Sequence, residues 1–251
     1  MFELSETNPL IEVPEAEYRR LLGYPKKHEL EGRARELADA ARAWFAAHGR
    51  PWIYARETGA LVSSAETLRI GDQEFTSRRL RDTFAAADAQ GAVVVAVSAG
   101  KECEETARQL WQDGKPDEYF FLEMFGSAVV EQLIAVASGR ICAWAGEQSM
   151  AVLPHFSPGY SGWDIAQQVK LWQLITQNKR GLPGGLDVFE SGMLRPKKSL
   201  LAVFGLTGDA EKARRFARLI PCENCSLPRC QYRRTPYRRA PVQFEEIGQL
   251  G

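Results

Sequence analysis

At 251 residues, 45% of them hydrophobic and 25% charged, the chain suits one large domain, or a domain with a small appendage, and is too apolar for a disordered one. Lys and Arg balance Asp and Glu at 32 each, so no net field draws it to nucleic acid or acidic lipid. No uninterrupted apolar run approaches the roughly 20 residues needed to span a bilayer, and Met1-Phe-Glu-Leu-Ser-Glu has neither the basic nor the apolar part of an export signal; a cytoplasmic location is the expectation.

After a polar lead, residues 13–25 predict a short helix stopped by Gly23 and Pro25. From 29 to 48 the apolar positions Leu30, Ala34, Leu37, Ala38, Ala41, Trp44 and Phe45 recur at helical spacing, and Gly49 ends the run. Short strands are expected over 52–55, 61–62 and 68–75, and Ser77 should cap a helix reaching about residue 89. Residues 92–97, Ala-Val-Val-Val-Ala-Val, are the mark of a strand buried on both faces. A helix over 102–113 follows, and then a long one from 117 to 139 or a little beyond. The density of large side chains in the second marks it as a core helix. Asp164 should cap a helix over 165–176. Strands at 186–189 and 200–205 flank a turn at 193–198, and a last helix covers 208–219. Strands and helices mix without strict βαβ repetition. This predicts an α+β fold with a central, mainly antiparallel or mixed sheet packed with helices. A boundary near Pro221 divides a main domain, 1–220, from a Cys- and Arg-rich tail, 221–251.

Three motifs stand out. Pro154-His155-Phe156-Ser157-Pro158-Gly159-Tyr160 gives a rigid bend in which proline fixes φ and glycine permits close approach to the backbone. Taken alone it is a surface turn before a helix. It is followed by Glu190-Ser-Gly-Met-Leu-Arg-Pro-Lys-Lys-Ser199 and preceded by Gly126-Ser-Ala-Val-Val-Glu131. In this order and spacing the three resemble the activation domain of vitamin B12-dependent methionine synthase, in the form of stand-alone bacterial proteins built from it. The resemblance runs from about residue 18 to 205 and is strongest over 119–205.

That resemblance implies a domain that binds S-adenosylmethionine and presents its methyl group to a reduced cobalamin held elsewhere. It implies cofactor-binding roles for Glu131, His155, Ser157, Gly159 and Tyr160, and no catalytic acid or base. Glu131 would pair with the ligand ammonium, the Tyr160 ring would pack on the ligand, and main-chain groups of 155–159 would read the adenine edge. Glu131 taken alone is a surface position on a long helix. One departure matters: the family's first motif position is an arginine able to clamp a carboxylate with two parallel bonds, and here it is His155. Histidine is mostly neutral at pH 7, with an ordinary pKa of about 6.5. Arg195, Lys197 and Lys198 are the replacement cations the sequence offers.

Five cysteines in a reducing compartment argue against a disulfide framework. Cys222, Cys225 and Cys230 lie within nine residues, a spacing that suits a metal or an iron–sulfur cluster short of one ligand. Redox-active and inert thiols are the alternatives; zinc and iron–sulfur are not separated by the ligand set, though corrinoid redox chemistry tilts toward the cluster. Cys103, at the predicted start of the 102–113 helix among acidic neighbours, reads as structural. Between Lys212 and Arg239 nine Lys and Arg face a single acidic residue, Glu223, which suits a solvated tail or an anionic partner.

The corrinoid-ligating Asp-x-His-x-x-Gly is absent, as are a P-loop, a Rossmann glycine motif, a catalytic triad and a zinc helix, so cobalamin would come from a partner chain. The leading expectation is a cobalamin (corrinoid) reactivation factor that works with a corrinoid-binding protein and an electron-donor protein. The alternative is a non-catalytic docking or electron-relay module whose cysteines hold a metal or cluster. Nucleic-acid binding is disfavoured, because Tyr232 and Tyr237 alone interleave with the tail arginines.

Overall fold

The computed structural model describes residues 1–25, 27–177 and 181–217. The polar lead contains strand β1 (Glu3–Thr7). Helix α1 (Glu15–Leu21) carries Glu15 and Glu17 in its first turn, where their charge complements the helix dipole. Helix α2 (Gly32–His48), rich in good helix formers, buries Leu37, Ala38, Ala41 and Phe45 along one stripe. Strand β2 (Trp52–Thr58) leads into a small antiparallel sheet of β3 (Leu61–Ser63), β4 (Leu68–Ile70) and β5 (Gln73–Phe75). The single strand expected over 68–75 is therefore two. Gly71, at φ +59°, turns the chain between them, a conformation glycine adopts without a Cβ clash. Ser77 caps α3 (Arg78–Ala86) as expected, its hydroxyl oxygen accepting from the Leu80 N–H at 3.2 Å.

Strand β6 (Gly91–Ser98), helix α4 (Lys101–Gln112) and the 32-residue helix α5 (Pro116–Glu147) follow. Pro116 and the acidic Asp117 and Glu118 open α5, residue types suited to a first turn. Strand β7 (Ala151–Val152) precedes the bend. Asp164 then caps a 3-10 turn at Ile165–Gln167 that runs into α6 (Gln168–Thr176). The chain closes with β8 (Asp187–Val188), β9 (Leu194–Arg195), β10 (Ser199–Thr207) and α7 (Ala210–Ala217).

The main sheet runs β1-β2-β6-β10-β7, with every neighbouring pair antiparallel. The α+β expectation holds, and the sheet is antiparallel throughout. Its centre is β6, where Val95 lies opposite Ala55 on one side and Ala202 on the other. Side chains alternate across a strand, so the valine run feeds two cores. Val93, Val95 and Val97 join Ile53, Ala55 and Phe204 against α1, α2, α4 and α5. Ala92, Val94 and Ala96 join Tyr54, Leu201 and Val203 against the small sheet, α3, α6 and α7.

Helix α5 has the length and apolar composition to cross a bilayer, more than the unbroken apolar runs suggested. Its buried apolar face packs against the sheet and against α1, α2 and α4. The expected boundary near Pro221 lies outside the described residues.

Helix α1 is short, and Tyr18 is its central docking side chain, with Leu21 buried beside it. Tyr18 is fully buried, and its hydroxyl donates to the Phe121 carbonyl of α5 at 2.8 Å. Its ring meets Phe125 edge-on at 5.1 Å, and the Arg42 guanidinium of α2 lies 5.1 Å from its centroid. Arg42 also donates to the Val13 carbonyl at 3.2 Å and to Glu15 at 2.6 Å, closing the link between α1 and α2. Burial, opposed in part by Arg42, raises the phenol pKa and keeps it a donor. Tyr18→Phe is expected to cost about 1 kcal/mol and Tyr18→Ala about 3–5 kcal/mol, read from urea unfolding midpoints.

Candidate functional site

On α5, Glu131, Ile134, Ala135 and Ser138 follow the spacing that brings side chains onto one helix face. On α1, Ala16, Arg19 and Arg20 do the same, with Gly23 just past its end, while Tyr18 and Leu21 point into the core. These two faces line a cavity of about 980 Å³, at the upper end of the range for small-molecule sites. Tyr24 and Pro25 extend the α1 wall, the Tyr24 ring stacking on His28 at 5.0 Å. His155 enters from the bend after β7.

Two of the sequence-derived site residues, Glu131 and His155, therefore line one cavity. Tyr160 stands behind them: its hydroxyl and His155 Nε2 share a hydrogen bond of 2.9 Å. Ser157 and Gly159 do not line the cavity and shape the bend instead. Ser157 is buried, and its hydroxyl donates to the Pro158 carbonyl at 3.2 Å. Gly159 takes φ +94° and donates its N–H to Trp163 at 2.8 Å.

The main chain of the bend is largely engaged with the fold. Phe156 exchanges both backbone bonds with Val203, at 2.9 and 2.8 Å, and the Tyr160 N–H donates to the Ser157 carbonyl at 3.0 Å. The backbone N–H groups of Phe156, Gly159 and Tyr160 thus hold the loop. Of the main-chain groups of 155–159 that the resemblance offered to an adenine edge, the Phe156 and Gly159 N–H groups are engaged in this way.

The three motifs meet in space. Gly192 (φ +82°) sits so close to the Ile165 carbonyl that a Cβ there would lie 2.2 Å from the oxygen, and the Ile165 side chain rests on Gly159. Behind this contact, Lys197 and Lys198 reach the buried Glu123 of α5 at 2.9 and 3.1 Å. Lys198 also donates to Ser127 at 2.9 Å and packs over Gly126. None of the replacement cations read from the sequence lines the cavity. The lysines are held at Glu123, and Arg195 lies 5.0 Å from the Phe189 ring.

The cavity's cations come from α1. Arg19 and Arg20, with Glu17, carry no motif in the sequence and enter the site only through the placement of α1. The signal available was the buried Tyr18 at its centre, which fixes the opposite face. Arg20 is held by Glu17 through two bonds, at 3.0 and 2.5 Å. Among the described residues no group of three His, Cys, Asp or Glu side chains is placed to hold a metal. Cys222, Cys225 and Cys230 lie outside the described residues.

No protein-family model matches the chain, and no curated protein matches it by sequence. Among solved structures, the MetH reactivation domain bound to AdoHcy matches with a TM-score of 0.57. The match covers 84% of this chain and 80% of that one, at 12% identity. The chain has the fold of the MetH reactivation domain. The resemblance carried by the three motifs and the likeness of the whole architecture point to the same fold.

Within this frame, Lys197 and Cys103 have shifted ionisation. Burial alone would lower Lys197, but its hydrogen bond and charge interaction with Glu123 outweigh this and hold it above its ordinary value. Its stabilising share is complete below the unfolded lysine pKa of about 10.4 and is lost as pH rises through the higher folded value. Burial, and then the charge of Glu123, pushes the Cys103 thiol from 9.0 up to about 12. The unfolded thiol ionises first, so stability is lost between those two values. We expect unfolding midpoints to fall from pH 9 toward pH 12, less steeply in Cys103→Ala. At pH 8, peptide mapping after alkylation should find exposed Cys142 modified and buried Cys103 protected until the chain unfolds.

Proposed function

We propose that the chain binds S-adenosylmethionine in the cavity between α1 and α5 and presents its methyl group to a reduced cobalamin held by a partner protein. The observation that carries this reading is the convergence of Glu131 and His155 on one cavity of suitable size. The fold of a domain solved with AdoHcy bound supports it. The lining is of the right kind. Glu131 accepts from an ammonium, the α1 arginines supply positive charge toward a carboxylate, and Ile134, Ala135 and Pro25 offer apolar surface to the nucleoside. Tyr24 adds a ring face for the base.

In-line transfer forms a carbon–cobalt bond as the carbon–sulfur bond breaks. The bonding pair returns to sulfur, and the sulfonium becomes a neutral thioether. The electron that first takes cob(II)alamin to cob(I)alamin comes from a separate donor protein. No proton moves, so this chain's work is to orient the sulfonium and exclude water rather than to supply an acid and a base. The His155–Tyr160 pair fits that role as a fixed wall element, its ring nitrogen and hydroxyl satisfying each other.

Titration calorimetry with S-adenosylmethionine and AdoHcy tests the binding half. Both should bind the wild-type chain, and Glu131→Gln should weaken each about tenfold, the scale of one charge-assisted contact. The transfer half is tested by incubating the chain with a corrinoid protein, a one-electron reductant and methyl-labelled S-adenosylmethionine. Label should appear on the corrinoid, and its absence despite binding would leave a docking module instead.

A further inference from the structure

Given the reading of the cavity as a site for a sulfur-linked adenosyl amino acid, on which this inference rests, we propose that Arg19 of α1 is the residue that recognises the ligand's α-carboxylate. The amino-acid end of such a ligand carries one negative and one positive charge. Glu131 on α5 suits the ammonium, so a cation must face it across the gap.

The bend does not provide that cation. His155 lines the cavity, but its Nε2 is taken up with the Tyr160 hydroxyl, so the ring offers no two-pronged contact. Lys197 and Lys198 are held at Glu123, and Arg195 is stacked over Phe189. Two guanidinium groups do line the cavity, Arg19 and Arg20, both on the α1 face opposite buried Tyr18. Glu17 already occupies the Arg20 fork through two bonds, at 3.0 and 2.5 Å. Arg19 makes contacts of its own, which a ligand carboxylate would exchange for a planar, bidentate pair. The backbone beneath it is fixed by the adjacent Tyr18, whose hydroxyl bond to Phe121 holds α1 at a set distance from α5. The lining carboxylates Glu17 and Glu131 and the arginines Arg19 and Arg20 sum to zero charge, as does the amino-acid end they would meet.

The test compares two ligands by titration calorimetry: AdoHcy, and 5′-methylthioadenosine, which keeps the nucleoside thioether and lacks the amino acid. Wild type should prefer AdoHcy at least tenfold. Arg19→Gln should weaken AdoHcy about tenfold to a hundredfold, the range for losing a charge-assisted contact, and change methylthioadenosine less than about twofold. Arg19→Lys should recover part of the loss, and Arg20→Gln should cost less than Arg19→Gln. Arg19→Gln binding AdoHcy within twofold of wild type, or weakening both ligands equally, overturns the assignment. Wild type binding methylthioadenosine as tightly as AdoHcy also overturns it. If wild type binds neither ligand, the reading of the cavity itself falls, and the clamp with it.

Discussion

Tyr18 is the contact on which the cavity depends. A helix of seven residues cannot hold its own shape in water, because nucleation costs more than so few hydrogen bonds return. Burying one large aromatic ring, with its hydroxyl bonded to Phe121 and its face beside Arg42, supplies what helix propensity alone cannot. Its position then dictates the rest. With Tyr18 and Leu21 facing inward, Arg19 and Arg20 are turned toward the Glu131 face of α5. The gap between the helices is a consequence of that docking and not of any feature of the sheet.

The opposite side of the site is held by a different device. A carboxylate as buried as Glu123 is costly unless paired, and two lysines of the second motif pair it. Those lysines set the path of the 190–199 segment, which brings Gly192 against Ile165 and Ile165 against Gly159. The bend that carries His155 is thus braced from behind by α5 and in front by its own hydrogen bonds. Helix α5 serves three elements at once: it receives α1 through Phe121 and Phe125, anchors the lysines through Glu123, and offers Glu131 to the cavity.

Much of this was legible before the coordinates. The valine run at 92–97 marked the central strand because no other arrangement buries six consecutive apolar residues so economically. Ser77 and Asp164 announced their helices by side-chain chemistry that acts within three residues. What escaped were features whose signal is short or distant. Strand β1 alternates over five residues with little apolar content, and exists because β2 offers it an edge. Gly71 reads like any loop glycine until both flanking segments are seen to pair. In the site, Glu131 and His155 carried motif context, whereas Arg19 and Arg20 sit more than a hundred residues from either. Their membership follows from the docking angle of α1, a tertiary fact with no local pattern. The cysteine segment, prominent in the sequence, lies beyond the described residues.

One consequence follows from the shortness of α1. Much of the cavity wall rides on a stretch of about ten residues that is anchored chiefly by one tyrosine, entered at the φ-restricted Pro14 and left at Gly23, whose φ is +85°. Such a cassette can be rewritten without disturbing the valine-lined sheet beneath it. Changing the charges at 17, 19 and 20 while keeping the tyrosine would alter the polarity of the cavity wall, leaving the architecture intact. The fold separates the part that must endure from the part that can drift, and so gives evolution or a designer a small, self-contained place to work.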